Sequence, residues 1–363
     1  MVKISLDSKD GRECLRMHKE AYAILDKVLE DLAKGNEVKT IGRGGRVIVL
    51  SSRNGRNTIT KRYYKKICDL NKKESFPCLL PETIHKIVSK VGEFESTEKD
   101  KRGLRRAKRV IEQVYSYERF GKNLCPEYIG GVLRWKANKN GWGAWKFIKM
   151  LDVRSCVYCN AETIFSLLLT NKLAGTEKEY ALKKGVPKRS ALDHFYSHSK
   201  WPFLGITLSN LIPACTRCNT NIKGAKELNW KKHIYPYASS FHEGARFALA
   251  LRDAKDRLRM KESDLYIAIL PNGDVDSAKL AMESSSFFHL SEVYNQLHKR
   301  DALTVLQRIT ALPQSYREFL AQKYPGIKEM VLDNICTGAS LSAADILSHN
   351  LSKLTIDIEA QFR

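Results

Sequence analysis

Cys156-Val157-Tyr158-Cys159-Asn160, then Ala191-Leu192-Asp193-His194-Phe195, then Leu208-Ser209-Asn210-Leu211-Ile212-Pro213-Ala214-Cys215-Thr216-Arg217-Cys218-Asn219, with Lys223 a helical turn beyond, is the stretch around which the chain is organised. Two C-x-x-C pairs bracket an Asp-His dipeptide and an isolated asparagine. Cys156, Cys159, Cys215 and Cys218 make a four-thiolate set that suits tetrahedral Zn²⁺ and leaves no open coordination position, so the ion expected there is structural. A redox reading is weaker, because neither pair opens a helix at the end of a thioredoxin-like strand and one site needs only one pair.

The surrounding composition agrees with a folded protein that meets a polyanion. The chain has 363 residues, a formal net charge of +22 and 43% hydrophobic residues. Its length favours more than one core. Such a positive excess suits nucleic acid, whose neutralised phosphates release counterions. No segment approaches the length of a membrane span and the first residues lack a secretory apolar run, so no membrane partner and a cytoplasmic location are expected. Of nine cysteines, Cys14, Cys68, Cys78, Cys125 and Cys336 show no pairing pattern and read as small core residues.

Outward from the centre, three segments are expected: a basic, mostly helical region over 1–145 that binds substrate or partner, a zinc-containing core over 146–240, and a mostly helical scaffold or partner-binding region over 241–363. Cys14, His18, Ala21, Leu25, Val28 and Leu32 repeat at a helical period up to Gly35. Val47 to Leu50 lies between two glycine-containing basic turns, which reads as short hairpins with Arg43 and Arg46 at a tip, placed for phosphate contact. Tyr63 and Tyr64, set among lysines, read as the buried face of an amphipathic helix. Residues 99–120 form another helix, whose stripe of Leu104, Ala107, Ile111, Val114 and Tyr117 leaves Arg105 and Arg106 on a dense basic face. Trp145 to Leu151 reads as a short helix. Further on, Pro271-Asn272-Gly273-Asp274 between two apolar runs signals a hairpin, and a helix from Leu290 ends at Pro313. The tail beyond Ser315 reads as helical.

Between the cysteine pairs, Ala191 to Phe195 reads as a short strand, followed by a loop with Asn210 and a helix from about Cys215 that carries Asn219 and Lys223. This β-β-α order, with Asp193-His194, Asn210 and Cys215-Thr216-Arg217-Cys218-Asn219, resembles the HNH nucleases of the ββα-metal superfamily whose finger is braced by a four-cysteine zinc site. The resemblance covers residues 156–237; residues 1–150 resemble no family. It implies an α+β, mainly helical fold with a central ββα-metal finger. It implies His194 as the general base, Asn210 as the residue that orients the finger, and Asp193 and Asn219 as ligands of a catalytic Mg²⁺ or Mn²⁺. Lys223 falls where it can meet a phosphate. Asparagine stands at 219 where many members have histidine, which leaves the preferred ion open.

Physical chemistry supports such roles independently. Phosphodiester hydrolysis needs a water-derived nucleophile, neutralisation of the phosphorane and help for the departing oxygen. A histidine of ordinary basicity supplies the first near neutral pH, and the zinc, its shell filled by thiolates, supplies none of them. Where the family often has Pro-Lys-Ser, this chain has Ser197-His198-Ser199, so His198 is a candidate phosphate contact, as is Arg217 beside the knuckle.

Flanking matches at Trp201-Pro202-Phe203-Leu204 and Tyr294-Asn295 resemble HNH subunits of bacterial anti-phage systems, Septu-type or retron-linked, which implies an ATPase or another defence-system subunit as partner. A non-catalytic zinc-knuckle module that binds nucleic acid is the alternative, although it has no need of Asp193, His194 and Asn210 together. A zinc deaminase is excluded by the lack of a His-x-Glu beside the cysteines.

Overall fold

A computed structural model describes residues 4, 9–42, 45–50, 58–76, 81–137, 142–169, 186–252, 256–324, 337–338, 342 and 345–362. The fold is α+β and mainly helical, with four small sheets among the described residues. The chain forms two units, neither continuous in sequence. One comprises residues 5–152 and 165–212, the other 1–4, 153–164 and 213–363. The chain passes between the two units on both sides of the first cysteine pair and just before the second.

The first unit is built on α1 (Lys9–Lys34), which presents Cys14, His18, Ala21, Tyr22, Leu25, Val28, Leu29 and Leu32 to the core. It stops where Gly35 takes φ +95° and its N–H bonds the Leu32 carbonyl, a conformation that glycine adopts at little cost. In α2 (Thr58–Glu74), Tyr63 and Tyr64 are fully buried, as the lysine-flanked pattern implies. α3 (Pro81–Thr97) follows with Ile84, Ile87 and Val91 inward. α4 (Lys101–Val114) begins where Asp100 accepts from the Gly103 N–H at 2.8 Å, and α5 (Tyr117–Gly121) where Ser116 caps.

β1 (Val38–Ile41) and β2 (Val47–Leu50) form the expected hairpin, but within a larger sheet of order β2-β1-β4-β3. There β3 (Leu124–Ile129) and β4 (Val132–Ala137) turn through Gly130 and Gly131, both at positive φ, as a two-residue hairpin requires. The region read as mostly helical therefore also carries a four-stranded sheet. Pro126 is tolerated because β3 is an edge strand. α6 (Ala144–Leu151), the β5 (Ser166–Leu169) and β6 (Val186–Arg189) pair, and β7 (Ala191–His194) complete this unit; β8 (Leu211–Ala214) begins in it.

The second unit holds the cysteines, then β9 (Ala245–Leu251) antiparallel to β10 (Leu265–Pro271), and α7 (Val275–Phe287), α8 (Leu290–Leu297), α9 (Lys299–Ala311), α10 (Gln314–Lys323) and α11 (Ser352–Phe362). The hairpin expected at Pro271–Asp274 is corrected: β10 pairs backward with β9, and the chain enters α7 instead. Asp274 decides this, its carboxylate accepting from the Asp276 and Ser277 N–H groups at 3.0 Å each, so the Asn-Gly-Asp signal reads as a helix cap. The helix expected from Leu290 to Pro313 is two, broken at His298. Among the described residues no helix is long and apolar enough to cross a membrane.

Candidate functional site

Cys156, Cys159, Cys215 and Cys218 are all buried, and their sulfurs lie within 4.8 Å of one another. Zinc–sulfur bonds of about 2.3 Å place tetrahedral sulfurs about 3.8 Å apart, and the Cys159 and Cys215 sulfurs stand at 4.0 Å. The residues fit a zinc ion. Burial pushes the Cys156 thiol up, while hydrogen bonds from the other three thiols pull Cys159 down. Four sulfurs this close cannot all carry charge unless a cation shares them.

The knuckles are shaped for such an ion. The Cys215 N–H points at the Cys156 sulfur (3.3 Å) and the Cys218 N–H at the Cys215 sulfur (3.4 Å), which favours thiolate in the manner of outer-shell donors. Asn160, at φ +53°, turns the first knuckle, and its amide donates to Ser155 Oγ and the Ile346 carbonyl while accepting from the Lys353 N–H. Arg217 reaches the Cys159 sulfur at 3.7 Å and Glu162 at 3.1 Å. The guanidinium expected to meet nucleic acid is thus engaged in balancing the cluster's charge.

Asn219 and Lys223 follow on a π-helix, Arg217–Lys223, closed by the Gly224 N–H on the Asn219 carbonyl at 3.0 Å. Asn219 is half-buried and Lys223 is 4% exposed. Asp193, His194 and Asn210 belong to the other unit, on β7 and just before β8.

There His194 is 6% exposed and Asp193 4%. His194 Nε2 lies 2.8 Å from the Gly205 carbonyl oxygen, which can only accept, so Nε2 carries the proton and Nδ1 is the basic nitrogen. The ring meets Tyr117 edge-on with centroids at 4.5 Å, and His198 also at 4.5 Å. Tyr117 donates to the Leu192 carbonyl at 2.9 Å. Burial pushes its phenol up, against the pull of Arg189, and Asp193 adds to the rise.

Tyr117, His198 and Gly205, which surround His194, also line an open cleft of about 520 Å³ with Arg109, Gln113 and Ser116. This size falls in the range of about 300–1,000 Å³ typical of ligand sites. Sequence reasoning placed Tyr117 in a core stripe and missed its role as a wall of this cleft; its spacing on the helix carried no signal of it.

Asn210 is fully buried and spans the loop between its two ends. Its Oδ1 accepts from the Tyr196 N–H (2.8 Å), and its Nδ2 donates to the Tyr196 carbonyl (2.9 Å) and the Leu204 carbonyl (3.2 Å). It thereby braces the chain just after His194 and just before Gly205. Asn210→Ala strips the Tyr196 N–H and carbonyl of these partners, each at about 1–3 kcal/mol, and leaves the Leu204 carbonyl with the Thr207 N–H alone. The variant should lose at least about 2 kcal/mol of unfolding free energy, read as a lower urea midpoint with an unchanged slope.

The remaining basic candidates are exposed. Arg105 and Arg106 stand on the outer face of α4, and Arg109, one turn on, reaches the cleft; Arg46 is exposed in the β1–β2 turn. Lys108 of the same helix is instead internal, bonded to Glu95 at 2.6 Å. Arg43, Cys78 and Cys336 lie outside the described residues. Cys14 and Cys68 are buried and Cys125 half-buried.

No family model, curated protein or solved structure matches this chain.

Proposed function

We propose that the protein is a metal-dependent HNH-type endonuclease that hydrolyses phosphodiester bonds of nucleic acid, DNA above all, through a ββα-metal finger running from β7 through β8 into the π-helix. The observation that carries this reading is His194. It is a buried imidazole with its proton committed to the Gly205 carbonyl, its loop braced by Asn210, and its walls opening on a cleft reached along the basic face of α4. With the proton on Nε2, Nδ1 is the nitrogen that would take a proton from water. Asn210 and Gly205 hold the ring, and His198 and Arg109 meet the phosphate.

By the resemblance, a catalytic Mg²⁺ or Mn²⁺ is expected to take Asp193 and Asn219 as ligands. Among the described residues the one convergent group of three or more cysteine, histidine or carboxylate ligands is the four-cysteine set. The second ion would therefore keep several waters, as Mg²⁺ commonly does with one or two carboxylates. When bound, it would neutralise the phosphate and help the leaving oxygen. By resemblance, the reading extends to an anti-phage effector working in the cytoplasm with an ATPase or similar subunit.

The full chain, its zinc retained, should nick or cut plasmid DNA when Mg²⁺ or Mn²⁺ is added, with single-stranded DNA and RNA as parallel substrates. Absence of cleavage on all three, with partners co-purified from the native host present, would leave the alternative of a zinc-knuckle binding subunit.

A further inference from the structure

Helix α1 lies far from the cysteine stretch in sequence and resembles no known family, yet its Tyr22, packed against His18, bonds the peptide on which His194 depends. That peptide, residues 203–207, is held at Phe203, Leu204, Gly205 and Thr207. Tyr22 Oη lies 3.0 Å from Thr207 Oγ1 and 3.5 Å from the Phe203 carbonyl. Asn210 Nδ2 takes the Leu204 carbonyl, and His194 Nε2 takes the Gly205 carbonyl. Trp142 Nε1 donates to His18 Nδ1 at 3.3 Å, which leaves the His18 proton on Nε2. The backbone acceptor near that ring is the Ile206 carbonyl, outside full hydrogen-bond geometry.

His18 and Tyr22 stand four residues apart, hence on one face of the helix, with ring centroids 5.0 Å apart. Both are 0% exposed. Burial drives the His18 pKa down to about 3, so it is a neutral donor–acceptor and adds no charge. Gly205 has no room for a side chain: a Cβ there would stand 2.9 Å from the Tyr115 carbonyl and 3.1 Å from that of Pro202, both backbone.

We propose that Tyr22 is a positioning residue, seated by the His18 ring packed against it: by fixing the 203–207 peptide at Phe203 and Thr207, it holds the Gly205 carbonyl where it selects the Nε2-protonated tautomer of His194. The inference rests on the nuclease reading only in taking His194 as the base. A carbonyl free to swing away would no longer hold the ring proton on Nε2.

The test uses the ¹⁵N-labelled full chain at alkaline pH, where imidazoles are neutral, with long-range ¹H–¹⁵N correlation reporting each histidine's tautomer. Wild type should show His194 wholly in the Nε2-protonated form. Tyr22→Phe, which keeps the ring and removes the hydroxyl, and His18→Leu, which keeps the approximate volume and removes both nitrogens, should each give a mixture of tautomers. The kcat for DNA hydrolysis should fall about 10–100-fold, the scale of outer-shell changes, with KM unmoved. His18→Gln, retaining a donor and an acceptor, should restore most of the single tautomer. A single tautomer in both Tyr22→Phe and His18→Leu, or His18→Gln no better than His18→Leu, overturns the proposal. If His18→Leu fails to fold, Tyr22→Phe alone decides. The tautomer is read without turnover, so a chain that cuts nothing overturns the nuclease reading and leaves this one decided on its own evidence.

Discussion

His194→Ala should lower phosphodiester hydrolysis by about 10²–10⁴-fold, the span usually lost with a general base, while about one zinc per chain remains bound. The size of the effect follows from how little else near the cleft can replace it. Asp193 serves the metal in the proposed mechanism. His198 is the one neighbouring imidazole, and a rotation that brought it to the same water would break its contact with Tyr117. Loss of activity through disorder can be separated from loss of the base. The removed ring leaves Gly205 without its 2.8 Å donor, which costs a modest amount of stability and lowers the unfolding midpoint slightly. His194→Gln keeps a donor to that carbonyl without a base of useful strength, so it should recover the midpoint but not the rate. Activity in His194→Ala within tenfold of wild type would remove His194 from the role of base, and rescue by glutamine would reassign it to scaffolding.

How much of this was legible before folding depends on the range of the interactions involved. The four cysteines were readable because metal ligation demands particular side chains at short spacings. Tyr63 and Tyr64 were readable because a helix repeats its buried face at a fixed period. By contrast, α3 was passed over: its lysines and glutamates mask a stripe of only Ile84, Ile87 and Val91. The β3–β4 hairpin was hidden by Pro126, which argues against a strand until an edge position is known.

What no local pattern encodes is how contacts divide the chain. Cys156 and Cys159 join residues 213–363, while Asp193 and His194 join the N-terminal helices. For the same reason His18 read as a core residue at helical spacing. It is one, and its polar atoms gain meaning only when Ile206, distant in sequence, arrives beside them. The contacts of Arg217 were likewise hidden: its guanidinium reaches Cys159 and Glu162, both more than fifty residues earlier in the chain.

Removing the zinc should have the larger structural effect. Binding of a structural zinc contributes about 10–16 kcal/mol in small zinc modules, comparable to or larger than the roughly 5–15 kcal/mol by which a whole domain is stable. In this chain the loss would not stay at the knuckles. The Tyr294 hydroxyl donates to the Cys159 carbonyl at 2.7 Å, Tyr158 stacks on Phe288 with centroids 4.4 Å apart, and Asn160 holds the turn leading into α11 through the Lys353 N–H. A strong chelator, or Cys159→Ser combined with Cys215→Ser, should therefore abolish hydrogen-exchange protection in 153–164 and 213–237 and weaken it through α8 and α11. Protection in α1 and α2 should survive, because their contacts run to one another, to α4 and to the four-stranded sheet. Elemental analysis fixes the starting point at about one zinc per chain. A zinc-free preparation with wild-type protection across 153–164 would show that the four thiols pack as ordinary core residues, and that Tyr294 and Asn160 alone suffice to hold the knuckle.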